Sequence, residues 1–176
     1  MDLRNFYTTK CGGRIVLTHK ACEHLRAHPE VGELMAEAIG RLELPIDGSF
    51  LAAEVDLGRV IGRSGCVPTE PIETITPTLF AQRVGRDKPT RVVVGIEGPE
   101  TTKLVVLAFA GREPGTYVLV SSWIGELAEK EPWDRSIRSQ EEADRAVGFW
   151  TTHGLVHDPA VMGEPFESTW EEILNS

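Results

Sequence analysis

Arg91-Val92-Val93-Val94-Gly95-Ile96, Lys103-Leu104-Val105-Val106-Leu107-Ala108-Phe109 and Thr116-Tyr117-Val118-Leu119-Val120-Ser121-Ser122-Trp123-Ile124 follow one another closely along the chain. All three are short runs rich in β-branched and aromatic residues, which suit a pleated, half-buried surface. Gly98-Pro99 lies between the first two, and Arg112-Glu113-Pro114-Gly115 between the last two. Connections this short cannot hold a crossover helix, so the runs are expected to form antiparallel neighbours. In the last run, period-2 alternation puts Tyr117, Leu119 and Ser121 on one face and Val118, Val120 and Ser122 on the other.

Upstream, Arg14-Ile15-Val16-Leu17 reads as a strand or entry segment after Gly12-Gly13. Thr18 is placed to cap a helix over His19–His28, because its hydroxyl can accept from a free first-turn N–H. Pro29 suits the first position of a second helix. There Val31, Leu34, Met35, Ala38, Ile39 and Leu42 recur with helical spacing, and Leu44-Pro45 ends the pattern. Phe50 to Ile61 is expected to hold a strand, residues 63–68 a turn, and Pro68, Pro71 and Pro77 an irregular stretch.

Downstream, Ser139 with Glu142 has the spacing of a capping box. It opens a helix bearing Ala143, Ala146, Val147 and Trp150 on one face, stopped by Gly154, and Ser168 with Glu171 repeats the device. The order predicts an α+β fold with two N-terminal helices packed on a mainly antiparallel sheet and a C-terminal helical extension. Residues 1–125 form the expected core domain. Residues 126–176 form an acidic extension packed on it, in one globular unit.

The chain has 176 residues and 19.4 kDa, with 41% apolar residues, enough to bury a core without staples. Its net charge of −9 excludes a basic coat over the whole protein. Residues 126–176 hold 4 Lys and Arg against 12 Asp and Glu, and the rest is nearly balanced at 14 against 15. Cys11, Cys22 and Cys66 are widely spaced, which points away from a disulfide framework and towards a reducing cytoplasm. The first residues show no apolar signal segment, and the apolar runs are too short to span a bilayer, so no membrane partner is expected.

The candidate chemistry falls into four groups. His24 and His28 share a helical face near His19, and imidazoles titrate where acid–base catalysis needs them. The residue after His24 is Leu25, where the zinc-protease helix has Glu, and there is no CxxC, so no metal is expected. Arg83, Arg86, Lys88 and Arg91 oppose only Asp87, and their forks and ammonium suit phosphate oxygens. Ser121 and Ser122, with Tyr117, could donate to an anion or mark where a strand leaves the core. His153 and His157-Asp158 complete the set. No GxxxxGK[ST], GxGxxG or GxSxG occurs, so no cofactor is expected.

The order of Thr18-His19, His24 and His28-Pro29-Glu30, then an Arg-bearing strand, then Tyr117 with Ser121-Ser122, resembles the ribonuclease superfamily of barnase, EndoU, colicin D and RelE and its toxin relatives. The resemblance covers residues of about 14–125. It implies metal-independent cleavage of RNA by transesterification. His19, His24 or His28 would act as acid and base, and Arg83, Arg86 or Arg91 would clamp phosphate. Tyr117, Ser121 or Ser122 would donate hydrogen bonds, stabilising charge on the phosphoryl oxygens. Glu131-Pro132-Trp133-Asp134 and Phe149-Trp150-x-x-His153-x-Leu155-Val156 resemble uncharacterised bacterial proteins.

Two readings follow. One is a cytoplasmic, ribonuclease-like protein acting on RNA. The other is a non-catalytic binding module whose partner is another protein or a second copy. On either, the acidic extension masks the basic strip or forms a structural layer. Trp123, Trp133, Trp150 and Trp170 anchor it or make a subunit contact.

Overall fold

Where a strand leaves half of its side chains in a core, burial alternates along it, and the chain shows this on two separate sheets. The computed structural model describes residues 5–44 and 49–176. The expected end of the second helix at Pro45 lies outside the described residues. The chain divides into two compact units, Met1–Arg63 with Glu100–Leu127, and Ser64–Pro99 with Ala128–Ser176.

The first unit holds β1 (Phe6–Thr8), β2 (Arg14–Val16), α1 (His19–Ala27), α2 (Pro29–Gly32), α3 (Met35–Gly40), β3 (Leu51–Asp56) and β4 (Gly62–Arg63). In the second lie β5 (Cys66–Pro68), β6 (Thr78–Ala81) and β7 (Thr90–Val93). The chain returns to the first for β8 (Glu100–Thr101), β9 (Lys103–Ala110) and β10 (Thr116–Ile124). It ends in the second with α4 (Gln140–Trp150), β11 (His153–Val156), β12 (Phe166–Ser168) and α5 (Trp170–Asn175).

In the first unit the sheet order is β1-β2-β10-β9-β3, with β2 and β10 parallel and the other pairs antiparallel. One face packs on the helices. Ile15, Leu104, Val106 and Ala108 meet Leu25, Met35 and Ile39 in one core, all of them fully buried. Each large aliphatic side chain so buried contributes about 1.5–3 kcal/mol. The helical stripe from Val31 to Leu42 is as read, but Glu33 and Leu34 divide it into α2 and α3. The Thr18 hydroxyl accepts from Ala21 N at 3.1 Å, the cap expected for α1.

The second unit has the order β12-β6-β7-β11-β5, with β7 and β11 parallel. Phe80, Trp150, Trp170 and Ile173 form its core.

The expected fold is therefore corrected. There is no single, mainly antiparallel sheet with a helical appendage, but two five-stranded mixed sheets and a two-stranded pair, β4 with β8. The run from Arg91 does not neighbour β9. It lies in β7, between β6 and β11. The chain leaves the first unit at Ser64 and closes the excursion at Pro99, whose carbonyl accepts from Ser64 N at 2.9 Å. Gly98 is required at that closure, because a Cβ there would lie 1.7 Å from Ser64 O. Short connections in the sequence thus do not imply neighbouring strands. The C-terminal segment is not purely helical either, since it supplies β11 inside the second sheet and β12 at its edge. Gly154 falls within β11, and the last capping box is Thr169 with Glu172, one residue beyond the pair expected. The expected boundary at residue 125 lies near the return at Leu127, but residues 64–99 group with the C-terminal segment. No helix among the described residues is long and apolar enough to cross a membrane.

Candidate functional site

The histidine cluster is built by α1, whose helical pitch brings His24 and His28 together with ring centroids 4.9 Å apart. His24 Nε2 lies 3.1 Å from Ser122 O. A carbonyl only accepts, so Nε2 carries the proton and donates, which ties the ring to β10. His28 Nδ1 lies 3.2 Å from Glu30 Oε1, and the exposed His19 places Nε2 3.2 Å from Glu23 Oε1.

On β10 a register shift between Leu119 and Ser121 changes the expected alternation. Val120 is the extra residue, so Ser122 joins Tyr117 and Leu119 on the core side and Ser121 turns outward. Ser122 is buried and donates from Oγ to Val105 O at 2.7 Å. The Tyr117 ring is buried in the core. The two serines therefore do not form a common donor pair.

The basic strip belongs to the second unit and the histidines to the first, so neither unit holds both sets. Within the second unit, three of the strip's four cations are taken up by the C-terminal segment. Arg83 Nη1 donates to Glu131 Oε1 at 3.3 Å. Lys88 Nζ donates to Ile173 O at 2.9 Å and Leu174 O at 3.0 Å, covering the open carbonyl end of α5. Arg91 is 4% exposed, and its Nη1 donates to Trp150 O and His153 O, each at 3.2 Å. Trp150 ends α4, so the guanidinium sits at the negative end of that helix. Its Nε has no partner, and burial lowers its pKa. Arg86 is exposed and makes no hydrogen bond or ion pair through its side chain among the described residues. It lines an open cleft of about 200 Å³ with Gly85, Asp87, Trp133, Asp134 and Arg135.

His153 stacks on Phe149 at 4.0 Å, with Nδ1 3.0 Å from Phe149 O, and His157 Nε2 lies 3.0 Å from Gly163 O. Both rings are engaged within their own segment. Among the described residues no group of three or more His, Cys, Asp or Glu is arranged to hold a metal ion.

Two titratable groups carried no signal that the sequence reading used. Cys11 is an exposed thiol in the β1–β2 turn. Backbone hydrogen bonding at Leu44, the Thr9 hydroxyl and backbone hydrogen bonding at Gly13 bring its pKa down to about 7. The Gly12-Gly13 pair after it was the available cue. Glu131 is 8% exposed, and burial pushes its carboxyl up to about 7 against the opposing pull of Arg83 and Arg86.

The Glu131 shift has a definite sign. The folded chain retains a proton that the unfolded chain releases near 4.5, so this contribution to stability is full below about pH 4.5 and is lost as pH rises to about 7. Glu131→Gln removes the charge and keeps an acceptor for Arg83. Measured by urea unfolding, the variant is expected to gain on wild type by up to about 3 kcal/mol between pH 5 and 8. A difference that stays constant over that range would disprove the assignment.

No protein-family model, curated protein or solved structure matches the chain.

Proposed function

We propose that the chain is a non-catalytic binding module and not a ribonuclease. One observation carries this reading: three of the four cations that would clamp phosphate are engaged by the protein itself, and only Arg86 is left exposed. Arg91 and Lys88 cover helix ends, and Arg83 faces Glu131. An oxyanion can be stabilised only by donors free to point at it. His24 Nε2 donates to a carbonyl, so of that ring only Nδ1 keeps a lone pair for a proton. Ser121 and Ser122 face opposite sides of a sheet.

The test is incubation of the purified full chain with total RNA and a chelator. The RNA is expected to stay intact over hours. Cleavage that disappears in His24→Ala or Arg86→Ala would overturn the proposal and restore the RNA-cutting reading.

A further inference from the structure

The open cleft beside Arg86, about 200 Å³ in volume, lies wholly within the second unit, between two segments that hydrogen bonds hold in place. One wall is Gly85-Arg86-Asp87, in the loop from β6 to β7. Arg86 N donates to Arg83 O at 3.2 Å, and Gln82 Nε2 donates to Arg86 O at 2.7 Å, so the backbone that carries the guanidinium is fixed on both sides. The other wall is Trp133-Asp134-Arg135, ahead of α4. Trp133 packs on the core of Phe80 and Trp170, and its Nε1 donates to Pro89 O at 3.0 Å. Asp134 N donates to Glu131 O at 2.8 Å, and Asp134 Oδ1 accepts from Ser136 N at 2.7 Å.

The cleft is lined by two cations and two carboxylates. Arg135 Nε and Asp87 Oδ2 lie 3.3 Å apart and satisfy each other. That leaves the Arg86 guanidinium, without a side-chain partner among the described residues, on one wall and the Asp134 carboxylate on the other. Burial opposes ionisation of Asp134, but hydrogen bonding at Ser136 and the charges of Lys130 and Arg86 outweigh it and hold its pKa below the usual aspartate range. It is therefore a carboxylate at neutral pH. A carboxylate has about four acceptor sites, so the bond from Ser136 leaves it capacity for another donor.

We propose that this cleft binds a free α-amino acid with an apolar side chain, its carboxylate on the Arg86 guanidinium, its ammonium on the Asp134 carboxylate and its side chain against the Trp133 ring. The proposal rests on the binding-module reading and names the ligand class of that module. Charge complementarity selects the ligand. A guanidinium fork matches the two oxygens of a carboxylate, and an ammonium is attracted both by a carboxylate and by an indole face. The lining charges cancel, so a ligand that carries one charge of each sign leaves the cleft neutral. A phosphate or an RNA strand would meet Asp87 and Asp134 along with Arg86, and a simple amine would meet Arg86 and Arg135 along with Asp134. A peptide bond on either side of the amino acid would remove one of its two charges. The volume is below the range of about 300–1,000 Å³ for drug-sized ligands, which suits a single amino acid.

Titration of the isotope-labelled full chain with L-phenylalanine, followed by nuclear magnetic resonance at the Trp133 indole N–H, tests this. The resonance is assigned by its loss in Trp133→Phe. The expected result is a saturable shift with a Kd of about 0.1–1 mM. N-acetyl-L-phenylalanine, which lacks the ammonium, and L-phenylalaninamide, which lacks the carboxylate, are expected to bind at least tenfold more weakly. L-Phenylalanine itself is expected to lose at least tenfold on Arg86→Gln and on Asp134→Asn. Arg86→Gln removes a side chain with no internal partner, and Asp134→Asn keeps the Oδ1 acceptor for Ser136, so both unfolding midpoints are expected to hold. An unmoved Trp133 resonance overturns the proposal, as does a blocked analogue that binds as well as the amino acid, or a shift that neither variant weakens. Tighter binding of phenyl phosphate than of L-phenylalanine overturns it too. These failures leave RNA intact and the module reading standing, whereas RNA cleavage removes that reading whatever the titration gives.

Discussion

Trp170→Ala is expected to cost about 3–5 kcal/mol, the range for truncating a buried tryptophan, and to loosen the second unit first. Trp170 is 1% exposed, meets Phe80 edge-on at 4.9 Å, and donates from Nε1 to Trp150 O at 3.3 Å. It opens α5, which Thr169 and Glu172 fix by a reciprocal cap. Truncation leaves a cavity between α5 and β6 and removes a buried hydrogen bond. Urea unfolding followed by near-ultraviolet circular dichroism checks this, with the half-buried Trp123 of the first unit replaced by Ala as the comparison. A loss below about 1 kcal/mol would show that α5 is a detachable arm. The same packing decides between mask and layer. The C-terminal segment contributes β11 between β7 and β5, so removing it opens the sheet instead of uncovering an intact basic surface.

What the sequence disclosed followed the range of the interaction. Local signals were legible: the Thr18 cap, the Ser139 cap, Pro29 opening a helix, and the apolar stripe from Val31 to Leu42. The hairpin of β9 and β10 was legible for the same reason. What failed were statements about partners distant in sequence. Val92 and Val93 read as a strand, but nothing local specified pairing with Leu155 and Val156, over sixty residues away. The bulge at Val120 was equally hidden, because one extra residue leaves composition untouched while it reverses the face of every side chain after it. That single residue puts Ser122, and not the expected Ser121, on the face of Tyr117. The arginines were misplaced for a third reason. An Arg at a strand start reads as exposed, and only the fold shows that Arg91 points at the end of a helix that begins forty-nine positions later.

Arg91→Ala is therefore expected to act on stability, by about 2–4 kcal/mol, and to leave RNA binding as it was. Arg91 is buried without a carboxylate partner, so its charge has to be held by dipoles. The carbonyls of Trp150 and His153 supply them, at the end of α4 where the helix dipole is negative. Hydrogen bonds from a charged donor contribute about 1.5–3 kcal/mol, which offsets part of the penalty for desolvating the guanidinium. Alanine removes the donor, strands both carbonyls and empties the volume of the stem. Arg91→Met keeps most of that volume, so the difference between the two variants separates packing from hydrogen bonding. If the carbonyls dominate, Met lies close to Ala. If the stem dominates, Met approaches wild type. A phosphate clamp predicts the reverse pattern for Ala, unchanged unfolding and lost affinity for RNA at low salt, because a cation facing solvent contributes little to folding and much to an anion. Chemical unfolding and RNA titration on the same three proteins give opposite signs under the two accounts, so one set of measurements settles which role the buried guanidinium has.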